Sequence, residues 1–190
     1  MENAPILMKC GGYGLRRLVM EDANSTYLGW ISDPEINCFL TVGKFPAGLD
    51  DLKSYILGFE GNRNAMAFAI VHLEKDKHIG NTTINAINWI SGTADLGMMI
   101  GDREYLNRGC AYYAWSMVIK HAFNSLGLRR LYAGVLEGNR ECLEAAVKLG
   151  LTQEGRWRKH SLVKGTYMDE IWFAVLKEEF PKLNLGDTHE

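Results

Sequence analysis

Apolar residues along the chain recur at two periods, alternate positions and helical spacing, and these divide it into elements. Residues 14–19 read as a first strand and 21–31 as a helix, with Asp22 or Asn24 near its start and Asp33-Pro34 ending it. A second helix is predicted over 49–59, after Gly48 and with Asp50 and Asp51 in its first turn, where carboxylates suit the helix dipole. The linker between them, 39–47, carries Gly43 and Pro46 and is a candidate mobile lid. Strands follow at 66–73, 78–89 and 94–100, joined by short polar turns that favour an antiparallel meander. In the last of these, Ala94, Leu96, Met98 and Ile100 share one face, and Asp95, Gly97 and Met99 the other.

The strongest helical stripe runs over 111–126, through Ala111, Trp115, Val118, Ile119, Ala122 and Phe123, with Gly127 as its stop. A strand at 130–136, a helix from Asn139 to Leu149 and a hairpin of 155–163 with 166–176 complete the order β-α-α-β-β-β-α-β-α-β-β. The strand–helix–strand unit of 95–135 is long enough for a right-handed crossover, which makes its two strands parallel. The expected fold is a single α/β (α+β) domain over 1–180, with residues 181–190 a loose tail. Its mixed central sheet has about seven strands, including one parallel splayed pair, and about four helices.

Composition narrows the function without naming it. The 190 residues carry a net charge of −2, so nothing global points to nucleic acid or a membrane surface. The four cysteines are scattered and lack metal-ligand spacing, which argues against a zinc site or disulfide framework and for a reducing compartment. The first residues lack the basic and apolar regions of a signal peptide, and no apolar run reaches membrane-spanning length, so a cytoplasmic protein is expected.

The segment Tyr105-Leu-Asn-Arg-Gly-Cys-Ala111 lies between an alternating strand and the best helix. A glycine-bearing turn there leaves free backbone N–H groups at a positive helix end, a place that binds phosphate. It lacks the Gly-Lys-Ser/Thr ending of a Walker loop and the Gly-x-Gly-x-x-Gly of a dinucleotide site. A short pyrophosphate cradle remains, with Arg108 able to add charge. The alternative is a plain connection in which Gly109 relieves a tight turn.

The chain resembles the GCN5-related N-acetyltransferase (GNAT) superfamily, in the branch of the Rim-type ribosomal-protein N-acetyltransferases, from about Gly14 to Leu176. The resemblance is carried by Trp30-Ile-Ser-Asp-Pro-Glu35, His78-Ile-Gly-Asn81, Ile87-Asn-Trp89 and Ala94-Asp-Leu-Gly-Met-Met-Ile-Gly-Asp102. It continues in Arg108-Gly-Cys-Ala111, Leu128-Arg-Arg-Leu-Tyr-Ala-Gly-Val135, Asn139 and Lys148-Leu-Gly-Leu151. The family turn reads Gln/Arg-x-x-Gly-x-Gly/Ala. Gly109 and Ala111 fit its fourth and sixth places, while Leu106 stands where Gln or Arg is usual. The resemblance implies acetyl-CoA as co-substrate and no metal. Its pyrophosphate would lie on the backbone of Asn107, Arg108, Gly109, Cys110 and Ala111, and its pantetheine arm would pair with Met98, Met99 and Ile100 like an added strand. Asn139 would contact the cofactor, cap its helix, or do both. Homodimerisation is also implied, through the last hairpin or late strands.

The implied reaction is acetyl transfer to a primary amine. A lysine-like amine has a pKa near ~10.4, so the site must remove a proton before attack. Asp95 is the first candidate base, acting through a water; alternatively it is an exposed strand charge. His72, His78 and His160 are further candidates. Hydrogen-bond donors at the oxyanion would come from backbone near Met99 or Ile100. The family's general-acid tyrosine falls at Ala146 and is absent, and Tyr112 and Tyr113 come too early in their helix to replace it. Cys142, where relatives often have Ser, is able to protonate the leaving thiolate or simply to pack the helix.

The acceptor is least constrained. Asp33-Pro-Glu-Ile-Asn37 and Ile87-Asn-Trp89 resemble relatives associated with nucleotide-linked amino sugars; an amino sugar, a protein N-terminus, a polyamine or an amine antibiotic suits the same scaffold. Trp30 and Trp89, with Phe39 and Trp157, either line an acceptor groove or belong to the core. Arg156, Arg158 and His160 either meet an acidic acceptor or form a solvated face. The alternative function is a non-catalytic CoA-binding or interaction module.

Overall fold

The computed structural model describes residues 4–40, 42–182 and 188–189. In chain order the strands are β1 (Ile6–Cys10), β2 (Tyr13–Arg17), β3 (Met66–His72), β4 (Lys77–Asn88), β5 (Thr93–Ile100), β6 (Arg130–Leu136), β7 (Thr152–Val163), β8 (Thr166–Leu176) and β9 (Thr188–His189). The helices are α1 (Ser25–Ser32), α2 (Leu49–Leu57), α3 (Cys110–Asn124) and α4 (Arg140–Leu149). All strands join one sheet in the order β7-β8-β6-β5-β4-β3-β2-β1-β9. The expected seven strands omit β1, which is short, and β9, two residues that pair with Lys9 and Cys10. Of the tail expected to be loose, residues 183–187 and Glu190 lie outside the described residues.

Helix α1 starts later than its apolar spacing predicts. The Asn24 side chain accepts hydrogen bonds from the Thr26 and Tyr27 amides at 3.0 and 3.1 Å, and so fixes the first turn. Asp22 is already committed inward, receiving two hydrogen bonds from Arg16 at 2.6 and 2.7 Å and one from the Val19 amide at 2.9 Å. Burial opposes its charge, but these bonds and His78 outweigh burial and hold the carboxyl well below the usual range.

The helices cover the sheet on both faces. Helices α3 and α4 bury Trp115, Val118, Ile119, Phe123 and Leu149 against Leu15, Ile70, Ile84 and Leu131. Helices α1 and α2 bury Tyr27, Trp30, Ile31, Leu52 and Ile56 against Leu18, Ala67 and Ala69. The sheet is antiparallel except at β5–β6, as the crossover predicts. That parallel pairing lasts only from Thr93–Arg130 to Asp95–Tyr132. Beyond it β5 continues on β4 and β6 continues on β8. Two strand edges therefore face each other with unshared backbone groups, and the cleft opens in this fork.

Candidate functional site

Strand β5 ends at Ile100, a single 3-10 turn covers Arg103–Tyr105, and α3 begins at Cys110. Between them Asn107 and Gly109 take left-handed backbone conformations, at φ 56° and 77°. Gly109 is the N-cap of α3, and a Cβ added there would meet nothing within 4 Å. The side-chain face of Gly109 is therefore open. The amides of the turn expected to form the cradle are engaged by a carboxylate of the protein itself. The Asn107 amide donates to Glu141 Oε2 at 2.8 Å and the Ala111 amide to Oε1 at 3.5 Å, with the Cys110 amide also bonded to this carboxylate. Arg108 lies exposed on the rim.

The cleft has three adjoining lobes, and Leu40 and Met98 line all of them. The first, about 290 Å3, runs from Asn107 and Glu141 along Met98, Met99 and Ile100. Here the fork side of β5 lacks a strand partner. The second, about 220 Å3, is mostly apolar and lies under α2, between Leu52, Tyr55 and Met99. The third, about 410 Å3, passes through the fork, from Trp115 and Cys142 on the α3 side to Asp95 and Glu170 on the other. The linker expected as a lid borders the cleft. Phe39 and Leu40 line it, and the Phe39 ring sits where a Gly138 side chain would be; Thr41 lies outside the described residues.

Asp95 faces the third lobe half-buried. Burial, and then the nearby charge of Glu170, raise its pKa to about 6. Glu170 and Trp172 reach this lobe across β6 because Gly134 has no side chain. A Cβ there would lie 2.0 Å from Glu170 Oε1 and 3.0 Å from the Trp172 ring. Trp157 packs on Trp172 at 4.6 Å between ring centroids, and His160 packs on Trp157 at 4.7 Å. Trp115 and Trp172 both line this lobe, and their indole N–H groups are buried without a hydrogen-bond partner among the described residues. A buried unpaired donor is costly, and a ligand oxygen would satisfy it.

The remaining candidates divide clearly. Asn139 lines the first and third lobes and caps α4, accepting from the Cys142 amide at 3.3 Å. Cys142 borders the same two lobes; burial, then the charge of Glu141, push its thiol up to about 12. Trp30 is corrected from acceptor groove to core: it is 6% exposed, with Gly101 close against its ring and the His78 ring 5.0 Å away. Trp89 is corrected too, but to the surface, at 46% exposure. It lies away from the cleft, donating its indole N–H to the Arg63 carbonyl at 3.1 Å. His78 belongs to a polar chain from Asp22 to Asn81, and His72 packs on Tyr13 and Tyr105. Arg156 is engaged by Glu137 and Asp169, both at 2.5 Å. Sequence patterns missed Glu141, Glu170 and Trp172 and took Trp115 for core alone. No spacing rule joins them, although a carboxylate in the first turn of a helix next to an amide-rich turn is a usable signal.

Among the described residues no group of His, Cys, Asp and Glu is arranged to hold a metal ion, and no helix is long and apolar enough to cross a membrane. Residues 13–152 match the family model of the acetyltransferase (GNAT) domain. The uncharacterized N-acetyltransferase p20 of Bacillus licheniformis is 31% identical over 170 residues, covering 87% of this chain and 93% of that protein. The putative ribosomal N-acetyltransferase YdaF of Bacillus subtilis is 25% identical, over 53% of this chain and 55% of that protein. In fold, the chain is similar to spermidine N-acetyltransferase from Vibrio cholerae, whose structure contains CoA and spermine. The TM-score is 0.80 at 18% identity, over 90% of this chain and 98% of that one. It is also similar to Mycobacterium smegmatis RimJ, solved with CoA-disulfide, with a TM-score of 0.78 at 20% identity over 94% of this chain and 88% of that one. The forked sheet, the amide turn and the match over 13–152 agree: the chain belongs to the GNAT family of acetyltransferases.

Proposed function

We propose that the chain transfers an acetyl group from acetyl-CoA to a primary amine that enters through the third lobe beside Asp95. The observation that carries this reading is the single cleft through the β5–β6 fork, with peptide amides at one end and a carboxylate of raised pKa at the other. The residues present fit the carrier. The amides of Asn107, Cys110 and Ala111 suit a diphosphate, and the unpaired edge of β5 from Met98 to Ile100 suits the amides of a pantetheine arm. The thioester supplies the acyl group; the chain's residues supply alignment and proton removal.

Asp95 is ionised above pH about 6 and so is ready to accept a proton, directly or through a water. Its raised pKa narrows the gap to an amine near ~10.4. The Trp115 and Trp172 N–H groups are suited to an oxygen of the thioester or the acceptor. Cys142 has no proton-transfer role here: a thiol at about 12 is a poor acid toward a thiolate with a pKa near ~8.5. It packs α4 and remains a neutral S–H.

The lining of the third lobe favours an acceptor that brings positive charge and no phosphate. Asp95 and Glu170 face it with the Trp157–Trp172 pair behind, Lys44 lies at its edge, and Arg156 is already neutralised. An amino sugar, a protein N-terminus or a polyamine suits this lining better than a nucleotide-linked amino sugar, whose diphosphate would meet two carboxylates. The test is incubation with acetyl-CoA and amines of these four classes, reading released thiol and product mass. Acetylation of a member of the first three classes is the expected result. Exclusive turnover of the nucleotide-linked class would overturn the acceptor assignment, and binding of CoA without turnover of any amine would favour a non-catalytic module.

A further inference from the structure

The carrier's diphosphate and a side chain of this protein are suited to the same amides. Glu141 is the second residue of α4, just after the Asn139 cap. Its carboxylate reaches from the start of α4 to the start of α3. There it accepts from Asn107 N at 2.8 Å and Ala111 N at 3.5 Å, and from the Cys110 amide. The Cys110 and Ala111 amides are among the orphan N–H groups of the α3 start, which need an acceptor, and the Asn107 amide lies in the turn just before it. Glu141 is half-buried and borders the first lobe, with Asn107 and Met98 beside it. The contact spans 34 residues of sequence, so local chain geometry does not force it.

We propose that Glu141 is an internal competitor for the acyl carrier's diphosphate, and thereby the residue that sets how tightly and how selectively the cradle holds CoA. The proposal rests on the carrier reading above. A diphosphate seated on these amides must displace the carboxylate and then sit beside its negative charge. Glu141 thus satisfies the turn when no carrier is bound and weakens the hold when one is. Glu141→Gln keeps the shape and a neutral acceptor but removes the charge; Glu141→Ala removes both.

The test is isothermal titration of wild type, Glu141→Gln and Glu141→Ala with CoA and with pantetheine, which has the same arm but no diphosphate. Thermal unfolding of the ligand-free proteins accompanies it. The expected result is about tenfold tighter CoA binding by Glu141→Gln, from the difference between a charge-assisted and a neutral hydrogen-bond partner. Pantetheine affinity stays within about twofold and ligand-free Tm falls, more for Ala than for Gln. A residue that only supported the fold would lower Tm without tightening CoA. CoA binding equal to or weaker than wild type in both variants overturns the competitor role and leaves the carrier site standing. CoA binding to none of the three proteins overturns the carrier site, and this proposal with it.

Discussion

At the α3 end of the cleft, the polar groups proposed to meet a ligand are peptide N–H donors from one turn, Asn107 to Ala111. At the β6–β8 end they are side chains from separate elements: Asp95 on β5, Trp115 on α3, and Glu170 and Trp172 on β8. The first end is held by backbone conformation, chiefly the left-handed Asn107 and Gly109. The second is held by packing, through the missing side chain at Gly134 and the stacking of Trp157 on Trp172. A backbone site accepts any ligand with the right charge and shape, whereas a side-chain site is redrawn by single substitutions. The two ends should therefore respond separately: carrier affinity to one, acceptor choice and rate to the other.

The largest expected effect is at the side-chain end. Asp95→Asn should lower kcat/KM about 100-fold, the lower range for a lost general base, while CoA affinity stays near wild type. In the wild type kcat/KM should rise with pH through about 6 as Asp95 ionises, and the substitution should remove that limb. The stability effect has the opposite sign. A carboxyl whose folded pKa is raised destabilises the fold as pH climbs from about 4 through about 6. Asp95→Asn, discounted for partial exposure, should gain on the order of 1–2 kcal/mol at pH 7 to 8. Loss of both activity and stability would reduce Asp95 to a structural residue.

Gly109→Val acts at the other end. It strains a left-handed residue by on the order of 1–2 kcal/mol and disturbs the amides, so CoA should bind about tenfold more weakly. The pH limb assigned to Asp95 should persist. Gly134→Ala should push Glu170 and Trp172 from the third lobe, raise the amine KM about fivefold and leave CoA affinity unchanged. If CoA affinity fell in step, the two ends would be mechanically coupled. Cys142→Ala should change kcat by less than about twofold and cost about 1 kcal/mol of stability, as loss of a buried thiol would.

The difference between the ends also explains what was legible in the sequence. The turn at Gly109 was legible before its amphipathic helix because a contiguous segment carries both its shape and its donors. The parallel β5–β6 pair was legible for the same reason, since crossover length and handedness are local facts. Asp95 was singled out because strand alternation puts it on one face with Gly97 and Met99, and it lines the third lobe. For Trp30 and Trp89 the sequence left groove and core both open, because size and aromaticity do not say which side of a sheet a ring covers. Trp30 fills the space left by Gly101, and Trp89 turns to the Arg63 carbonyl. Glu170 and Trp172 were invisible because their place depends on β8 pairing with β6 and on Gly134 lying between. Glu141 was missed because its partner turn is 34 residues away.

In the proposed arrangement the carrier's diphosphate and the acceptor amine occupy opposite ends of one forked cleft. Backbone amide NMR during a CoA titration tests it most directly. The largest shift changes are expected on Asn107, Gly109, Cys110 and Ala111, followed by Met98 to Ile100, with the amides of Glu170 and Trp172 little changed. Shifts centred on β6 and β8 with the α3 turn unmoved would contradict it.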